Sequence, residues 1–599
     1  MLNYKTTLAA IIAPQVEGYE AKAIYELLEY PPNPEMGDLS MPCFKFSKAL
    51  RKAPQMIAEQ LKEKLIASAT EEVQRVEAIA GYLNIYLNPH SFAREVVSTV
   101  LSEKERYGSQ NIGEGKTIVI DYSSPNIAKH FHIGHLRSTM IGNSLYQIFA
   151  FLGYRCVGIN HLGDWGTQFG KLMVSYLTWG NEATVREDGV TELQRLYVLF
   201  HEEAENKPEL ENEARAWFVK LERGDEEAQR LWKWFVDISL QEYNKIYELL
   251  GVSFDSYTGE SFYNDKMAVV VEELKDKKLL EEDDGAMLVR LDDYNMPPAL
   301  MIKTDGSTLY HTRDVTAALY RKETYDFDKA IYVTDAGQSL HFQQWFKIIE
   351  LMGYEWADKL QHVSFGKVSL EGAKLSTRKG NIVMLEELLR KAIEVIADII
   401  EQKNPGMANK ETVARQVGVG AIIFNDLSTN RIKDVVFSWE EALNFDGETG
   451  PYVQYTHART CSLLRKAVGG GMMGAGTITD TEAGTNADAK VLATSKEWIV
   501  AVEDIDVAKL QEVEALNVIK QLYFFGERIQ QAMNKLEPSV ISRYLVDLAQ
   551  SFNRFYHECP ILKVEDEKVR TARLALVKSV QITLQNGLKL IGLEAPEEI

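Results

Sequence analysis

The sequence is poor in cysteine and contains no long apolar run, and both absences narrow the kinds of protein it encodes. Its four cysteines, Cys43, Cys156, Cys461 and Cys559, are far apart in a chain of 599 residues. They form neither a CxxC metal clip nor the dense pattern of a secreted disulfide scaffold. No apolar stretch approaches the roughly 18 residues that a membrane span needs. The first residues, MLNYKTTLAAIIAPQ, also lack the basic start and cleavage site of a secretion signal. We therefore expect a cytoplasmic protein with reduced cysteines and no membrane contact.

Positive charge is also scarce. The chain carries 66 lysines and arginines against 87 aspartates and glutamates, a formal net charge of −21. A protein that coats nucleic acid non-specifically needs clustered basic residues, so this balance argues against such a coat without excluding a local basic track. The length exceeds what one hydrophobic core supports and predicts roughly three to five domains.

The segment GEGKT at 113–117 resembles a phosphate-binding P-loop only in part. That motif requires a glycine six positions before its lysine, where this chain has Gln110. A phosphate-binding site is therefore expected elsewhere.

The order of predicted elements indicates a multidomain α/β protein. Residues 1–111 combine helical segments with the alternating stretch VEAIAGYLNIYLN, which is typical of a strand pair. Residues 112–180 predict strand, helix and strand, the pattern of a parallel sheet. Strand signals return over 285–385, at AMLVRL, ALMIKT, KAIYVTD and HVSFGKVSL, and are expected to complete that domain. The acidic helical segment 181–284 interrupts it, and from 386 onward the pattern is almost wholly helical.

Three histidines in six positions, His130, His132 and His135 in HFHIGHLRST, have three competing explanations. A metal site is disfavoured because this turn has no carboxylate and the cysteines are remote. Core or surface packing explains most single histidines. Here, however, the cluster follows a predicted buried strand and opens a predicted helix, where free N–H groups and the helix dipole favour anions. Gly134 would let a flat base lie against the backbone, so the cluster favours a nucleoside triphosphate.

A second signal is the basic segment GAKLSTRKGN, which contains Lys374, Arg378 and Lys379. Alone it would be an ordinary solvated turn. If the sheet brings it to the histidine cluster, it becomes a cationic clamp for a departing pyrophosphate.

These two segments resemble the signatures of class I aminoacyl-tRNA synthetases. Residues 132–135 spell HIGH, and KLSTR at 374–378 is similar to the KMSKS motif, with Leu375 in place of the common methionine. The strings SSPNIAKHFHIGHLRST, NHLGDWGTQFGKL, DGSTLYHTRDVTAA and FDGETGPYVQYTHART resemble the arginyl-tRNA synthetases in particular. The family usually has proline where this chain has His130, so that histidine is expected to be incidental to the chemistry.

The resemblance implies a domain arrangement. A Rossmann-type parallel-sheet catalytic domain would occupy 112–180 and 285–385, with a connective helical insertion at 181–284. A small N-terminal α/β domain that binds tRNA would occupy 1–111. A helical linking region at 386–449 would lead to an all-α anticodon-binding domain at 450–599, and within it the glycine-rich stretch 469–488 predicts a mobile loop.

A pocket for arginine has to satisfy a planar guanidinium, which a carboxylate does with two parallel hydrogen bonds and a compensating charge. Lysine lacks this fork, so binding alone discriminates against it and no editing domain is expected. The resemblance implies the arginine-binding residues, and sequence spacing leaves open which carboxylate meets which end of the substrate. They are Asp121, Ser123, Asn126, His135, Tyr310, Asp314 and Gln338.

The resemblance also implies how ATP is bound. ATP would be held by His132, Gly134, His135, Lys374 and Ser376, and the catalytic residues would be His132, His135, Lys374 and Arg378. Mg²⁺ would accompany the phosphates, and no zinc or other protein-bound metal is expected. The partners would be L-arginine and the tRNA for arginine, with activation requiring bound tRNA, and the protein would be a monomer.

Two other functions remain open at this point. A small-molecule nucleotidyltransferase also uses an HxGH loop on a parallel sheet, but it would not need the long helical C-terminal part. An inactive tRNA-binding paralogue would keep that part and lose the two motifs, which are intact here.

Overall fold

The computed structural model describes residues 4–31, 33–68, 71–304, 306–370, 384–469 and 501–599. Within these ranges the strands are β1 Leu39–Pro42, β2 Val73–Ile79, β3 Tyr82–Leu87, β4 Thr117–Asp121, β5 Arg155–Ile159, β6 Glu281–Asp283, β7 Ala286–Val289, β8 Ala299–Ile302, β9 Lys329–Asp335, β10 Leu360–Phe365, β11 Val368–Leu370 and β12 Val435–Phe437. The helices up to the parallel sheet's last strand are α1 Tyr4–Ile12, α2 Ala21–Leu27, α3 Ser47–Leu50, α4 Pro54–Ala67, α5 Pro89–Glu103, α6 Ile133–Phe151, α7 Thr167–Trp179, α8 Glu182–Asp188, α9 Val190–Asn206, α10 Glu209–Glu222, α11 Glu226–Leu250, α12 Met267–Asp276, α13 Tyr310–Tyr325 and α14 Ser339–Leu351. The remaining described helices are α15 Leu385–Lys403, α16 Lys410–Leu427, α17 Trp439–Ala442, α18 Gly450–Gly469, α19 Val513–Lys535, α20 Ser539–Glu558 and α21 Glu567–Leu590.

The chain's internal contacts divide it into two compact units. The first unit comprises Met1–Gly108, Arg459–Gly526 and Asp547–Thr583, and the second comprises Ser109–Ala458, Glu527–Val546 and Leu584–Ile599. Among the described helices, none is both long and apolar enough to cross a membrane.

The first unit contains the strand pair that the alternating sequence predicted. β2 and β3 are antiparallel and β1 adds to the outer edge of β3, which gives the sheet order β1-β3-β2. The hairpin between β2 and β3 turns at Ala80 and Gly81, whose φ angles of 50° and 83° are both left-handed. Such a two-residue turn matches the twist of the strands it joins.

The second unit is built on a parallel sheet of order β10-β9-β4-β5. Val119 of the central strand β4 lies opposite Val157 on one side and Ala330 on the other, and all three are buried. Helix α6 connects β4 to β5, and α14 connects β9 to β10. The chain first leaves β4 toward β5 and later places β9 on the other side of β4. In open parallel sheets, ligands bind at the carboxyl ends of the strands where the order switches in this way, here at the ends of β4 and β9.

One expectation about this domain is wrong. The strand signals AMLVRL and ALMIKT do not join the parallel sheet, because β6, β7 and β8 form a separate antiparallel sheet. Between β6 and β7 the chain reverses at Asp284 and Gly285, both with left-handed φ (48° and 78°). An Asp-Gly pair favours a tight hairpin, and a hairpin cannot connect parallel strands.

The helical character of the 181–284 segment is as predicted. Helices α7 and α10 cross closely because Gly170 has no side chain, and a Cβ there would lie 2.0 Å from the carbonyl oxygen of Ala214. Val174 and Phe200 are buried in the small core beside this crossing.

The described residues from 386 onward are almost wholly helical, as expected, and include the short strand β12. β12 pairs in parallel with β11, with Val368 opposite Val435. Most of the glycine-rich stretch 469–488 lies outside the described residues.

Candidate active site

The histidine turn, which we define as His132 to His135, opens helix α6 directly after the loop that follows β4. His132 is the N-cap, and its Nδ1 accepts a hydrogen bond from the backbone N–H of Gly134 at 3.1 Å. His135 Nδ1 in turn accepts from the backbone N–H of His132, also at 3.1 Å. The two side chains thus form a capping box of the kind that Ser and Glu usually provide. Their rings stack with centroids 3.9 Å apart.

These hydrogen bonds determine where the ring protons lie. Because Nδ1 of each histidine accepts from a backbone N–H, a neutral ring carries its proton on Nε2. Burial, with Lys129 nearby, lowers the pKa of His132. Burial, His132 and Lys129 lower the pKa of His135 to about 3. Both imidazoles are therefore neutral at physiological pH, and their Nε2–H groups are available as donors at the positive end of a 19-residue helix.

Gly134 has a steric role within the histidine turn. A Cβ at this position would lie 2.9 Å from both Cε1 and Nδ1 of His132. The missing side chain is what allows the His132 ring to fold back over the first turn of α6.

The described chain meets the histidine turn again at Met384. Met384 forms an antiparallel bridge with His132, and the backbone N–H of Leu385 donates to the carbonyl oxygen of Phe131 at 3.0 Å. Lys374, Ser376 and Arg378 lie outside the described residues.

Asp121, the last residue of β4, is held by two partners. Its Oδ2 lies 2.8 Å from Nη1 of Arg321, a side chain that is only 1% exposed. Its Oδ1 accepts from the Ser124 hydroxyl at 2.9 Å. Sequence reasoning expected Asp121 to line the site but did not find Arg321, which lies 200 residues away.

Asp314 lies one turn after Tyr310 on α13, so the two share a helix face, and Tyr310 is 63% exposed. Asp314 Oδ2 lies 2.5 Å from Nε2 of His341 on α14. Burial alone raises the pKa of Asp314, but His341, with His161 and Arg321 nearby, holds it below its usual value. Asp314 is therefore an ionised carboxylate at physiological pH.

Glu260 is a further carboxylate that sequence reasoning missed. Its Oε2 lies 3.6 Å from Nη1 of Arg313, and its backbone N–H donates to the carbonyl of Leu162 in the loop after β5. Burial raises its pKa to about 7, against the opposing effect of Arg313, and the charges of Asp314 and Asp164 add to the rise. No spacing pattern marks Glu260, and its position within the predicted insertion separated it from the other site residues.

The loop after β4 carries two more predicted residues. Ser123 and Ser124 have left-handed φ angles of 70° and 50°, which costs free energy for non-glycine residues and is frequent at functional sites. Ser123 is buried, and its hydroxyl lies 2.8 Å from the hydroxyl of Tyr247. Asn126 packs over Gly163, where a Cβ would lie 2.1 Å from its Oδ1.

Gln338, the last predicted residue, is exposed at the end of the short 3-10 turn Ala336–Gln338 that follows β9. The carboxyl ends of β4 and β9 thus each lead into a segment with predicted site residues.

The geometry combines two kinds of binding group in one unit of the molecule. Neutral Nε2–H donors at a helix N-terminus suit phosphate oxygens. The ionised carboxylate of Asp314, with Glu260 as a second acidic group whose pKa the charge of Asp314 raises, suits a cationic side chain. Among the described residues, no group of three or more His, Cys, Asp or Glu side chains is arranged to hold a metal ion.

Three family models match the chain in succession. The arginyl tRNA synthetase N-terminal domain matches residues 3–87, the class I (R) tRNA synthetase catalytic domain matches 96–439, and the DALR anticodon-binding domain matches 453–599.

Whole proteins match over similar lengths. The arginine–tRNA ligases of Alkaliphilus metalliredigens and Clostridioides difficile are 53% and 51% identical to the chain, and the matches cover all of both chains. The structure is similar to Thermus thermophilus arginyl-tRNA synthetase, with a TM-score of 0.79 and 25% identity over the whole of both chains. It is also similar to Plasmodium falciparum arginyl-tRNA synthetase, with a TM-score of 0.73 and 25% identity over 96% of this chain and 94% of that one.

Proposed function

The chain belongs to the arginine-specific family of class I aminoacyl-tRNA synthetases and joins arginine to tRNA, and on this premise we propose how its own residues divide the work. In the first step, a carboxylate oxygen of L-arginine attacks the α-phosphate of ATP, which forms arginyl-adenylate and releases pyrophosphate. In the second, a hydroxyl of the tRNA 3′-terminal ribose attacks the arginyl carbonyl, and AMP leaves. Such displacements depend mainly on positioning and on neutralising charge.

The histidine turn binds the phosphates of ATP. The observation that carries this assignment is the reciprocal cap, because it presents two neutral Nε2–H donors at the N-terminus of α6. Donors held in place before the reaction stabilise charge that develops in the transition state without reorganising. Gly134 contributes by letting the His132 ring adopt its position.

The carboxylates bind arginine. Asp314 is ionised and meets the guanidinium, with Tyr310 on the same face of α13 and Glu260 as a second acidic group. Asp121 has both oxygens engaged by Arg321 and Ser124, and it shapes the arginine site.

The other predicted residues complete the binding of the amino acid. The segments that follow β4 and β9 contact the bound arginine through Ser123, Asn126, His135 and Gln338.

Lys374 and Arg378 neutralise the departing pyrophosphate, and Ser376 helps to hold ATP. Support for this role comes from Met384, the first described residue after the basic segment, which bridges to His132. Mg²⁺ carried by the triphosphate would supply further neutralisation of the phosphate charge.

The protein acts in the cytoplasm as a monomer, binds the tRNA for arginine, and requires that tRNA for activation of arginine.

The test is amino-acid-dependent exchange of pyrophosphate into ATP, run for each standard amino acid with and without total tRNA. We expect exchange with arginine alone among the amino acids, and only when tRNA is present. Exchange with another amino acid, or none with arginine and tRNA, would contradict the proposed function. Exchange with arginine in the absence of tRNA would contradict only the tRNA requirement.

A variant tests the basic segment separately. Lys374→Ala should depress the rate of exchange by about a hundredfold while leaving the affinity for arginine near that of the native chain. An unchanged exchange rate would remove Lys374 from the mechanism.

A further inference from the structure

A series of hydrogen-bonded polar side chains begins at the arginine-binding carboxylate Asp314. It consists of His341, His311 and Gln344, and it ends on the backbone carbonyl of Pro297. None of these four residues was found by sequence reasoning, and of the four only His341 enters the assignments above, through its effect on the pKa of Asp314. We propose that His341 is a positioning residue that orients Asp314 for the guanidinium of arginine, an inference that rests on the function proposed above.

The first link is the contact between α13 and α14. Nε2 of His341 lies 2.5 Å from Oδ2 of Asp314, and the two side chains are 21% and 27% exposed. An ionised carboxylate only accepts hydrogen bonds, so Nε2 of His341 carries the proton and donates it. A hydrogen bond to a charged acceptor is among the stronger ones in proteins.

The second link holds the imidazole itself. Nδ1 of His341 lies 3.2 Å from Nε2 of His311. Nε2 of His311 also lies 3.1 Å from Oε1 of Gln344. Gln344 is buried, and its amide donates to the Pro297 carbonyl at 2.8 Å. The ring of His341 is thus supported on the side away from Asp314 by side chains of both α13 and α14.

The contact with His341 holds the carboxylate of Asp314 in one orientation. Its two oxygens offer about four acceptor sites, and His341 uses one of them, which leaves both oxygens able to meet a second donor. A guanidinium needs the carboxylate in its own plane to form two parallel hydrogen bonds, whereas a point charge such as an ammonium does not. A carboxylate held in one orientation therefore favours the forked cation.

The experiment compares three variants by steady-state pyrophosphate exchange with arginine, ATP and tRNA. His341→Ala removes the donor. His341→Gln keeps a donor, because the amide nitrogen of glutamine reaches about as far as Nε2 of histidine. His362→Gln is the matched control, since His362 lies in the same half of the parallel sheet and contacts Thr334 and Phe342 instead of Asp314.

We expect His341→Ala to raise the KM for arginine about tenfold to a hundredfold, with kcat and the KM for ATP within about threefold of native. His341→Gln should restore most of the affinity for arginine, and His362→Gln should resemble the native enzyme. An unchanged KM for arginine in folded His341→Ala, or equal losses in all three variants, would overturn the inference. Absence of arginine-dependent exchange in the native enzyme would instead overturn the proposed function.

A second variant serves if His341→Ala does not fold. His311→Phe keeps a ring of similar volume but removes the nitrogen that supports His341. It should raise the KM for arginine several-fold with no change in the KM for ATP, and an unchanged KM for arginine would overturn the inference as well.

Discussion

The histidine turn and the carboxylates of the same site are held in place by different means. In the turn, His132 and His135 are bound by backbone groups within three residues of themselves. Each carboxylate depends on a side chain from elsewhere in the chain: Asp121 on Arg321, Asp314 on His341 and Glu260 on Arg313. The half of the site assigned to the phosphates is thus a local structure, and the half assigned to arginine is a tertiary one. Substitutions in the histidine turn should therefore act by removing hydrogen-bond donors. Substitutions around the carboxylates should act by removing the side chains that pair with them.

The largest effect is expected where a buried partner is removed. Arg321→Met leaves Asp121 buried and without a compensating charge, which should lower the free energy of unfolding by about 3–5 kcal/mol. Denaturant unfolding measures this change. The double variant with Asp121→Asn should recover much of the loss. Arg186→Met is the control, because the Arg186 pair with Glu182 is exposed and should contribute less than about 1 kcal/mol. Equal losses of stability in Arg321→Met and Arg186→Met would contradict the claim that Asp121 depends on its buried partner.

The next effect tests the local half. In His135→Asn, the asparagine oxygen takes the place of Nδ1 and preserves the cap, while the Nε2–H donor is lost. We expect the kcat of pyrophosphate exchange to fall about 10²–10³-fold with little change in stability. His130→Asn serves as the control, since His130 lies beside Glu242 at 3.4 Å and outside the cap. If both variants kept native kcat, the histidine turn would not bind phosphates.

A smaller effect is expected at the guanidinium. Asp314→Asn removes the charge but keeps the shape, and should raise the KM for arginine about tenfold to a hundredfold while sparing the KM for ATP. Asp326→Asn, at the other end of α13 with an exposed side chain, should leave both constants unchanged. A loss shared equally between arginine and ATP would contradict the separation of the two halves.

The smallest effect concerns pH. The pKa of Glu260 is raised to about 7 by burial, so raising the pH from about 6 to about 8 converts it from mostly neutral to mostly ionised. A cation binds the ionised form better, so the KM for arginine should fall several-fold as the pH rises. In Glu260→Gln this dependence should flatten. The KM for ATP should not follow it, because the histidines have lowered pKa values and stay neutral over that interval.

The two halves of the site also differ in how far the sequence predicts them. The HIGH residues are adjacent in the chain to the strand before them and the helix after them. Residue type and spacing were therefore sufficient to predict this strand, turn and helix. Asp121 and Asp314 were expected because the family resemblance implied them as arginine-binding residues. Glu260, Arg321 and His341 were missed, since their relevance comes from contacts across 27 to 200 residues that no periodicity records.

The error over β6, β7 and β8 has the same origin. Their apolar residues correctly predicted strands, but strand signals alone do not say which sheet a strand joins. The Asp284–Gly285 turn, with its two left-handed residues, makes β6 and β7 antiparallel.

The amino-acid sequence by itself determined the helices and strands, the capping turn at His132 and Gly134, and the family to which the chain belongs, because each depends on neighbouring residues or on motifs. Only the tertiary structure decided which carboxylates are paired, which are ionised and which sheet the β6–β8 strands form. Pairing and ionisation depend on burial and on the distance to groups far away in the chain, and those quantities exist only once the chain has folded.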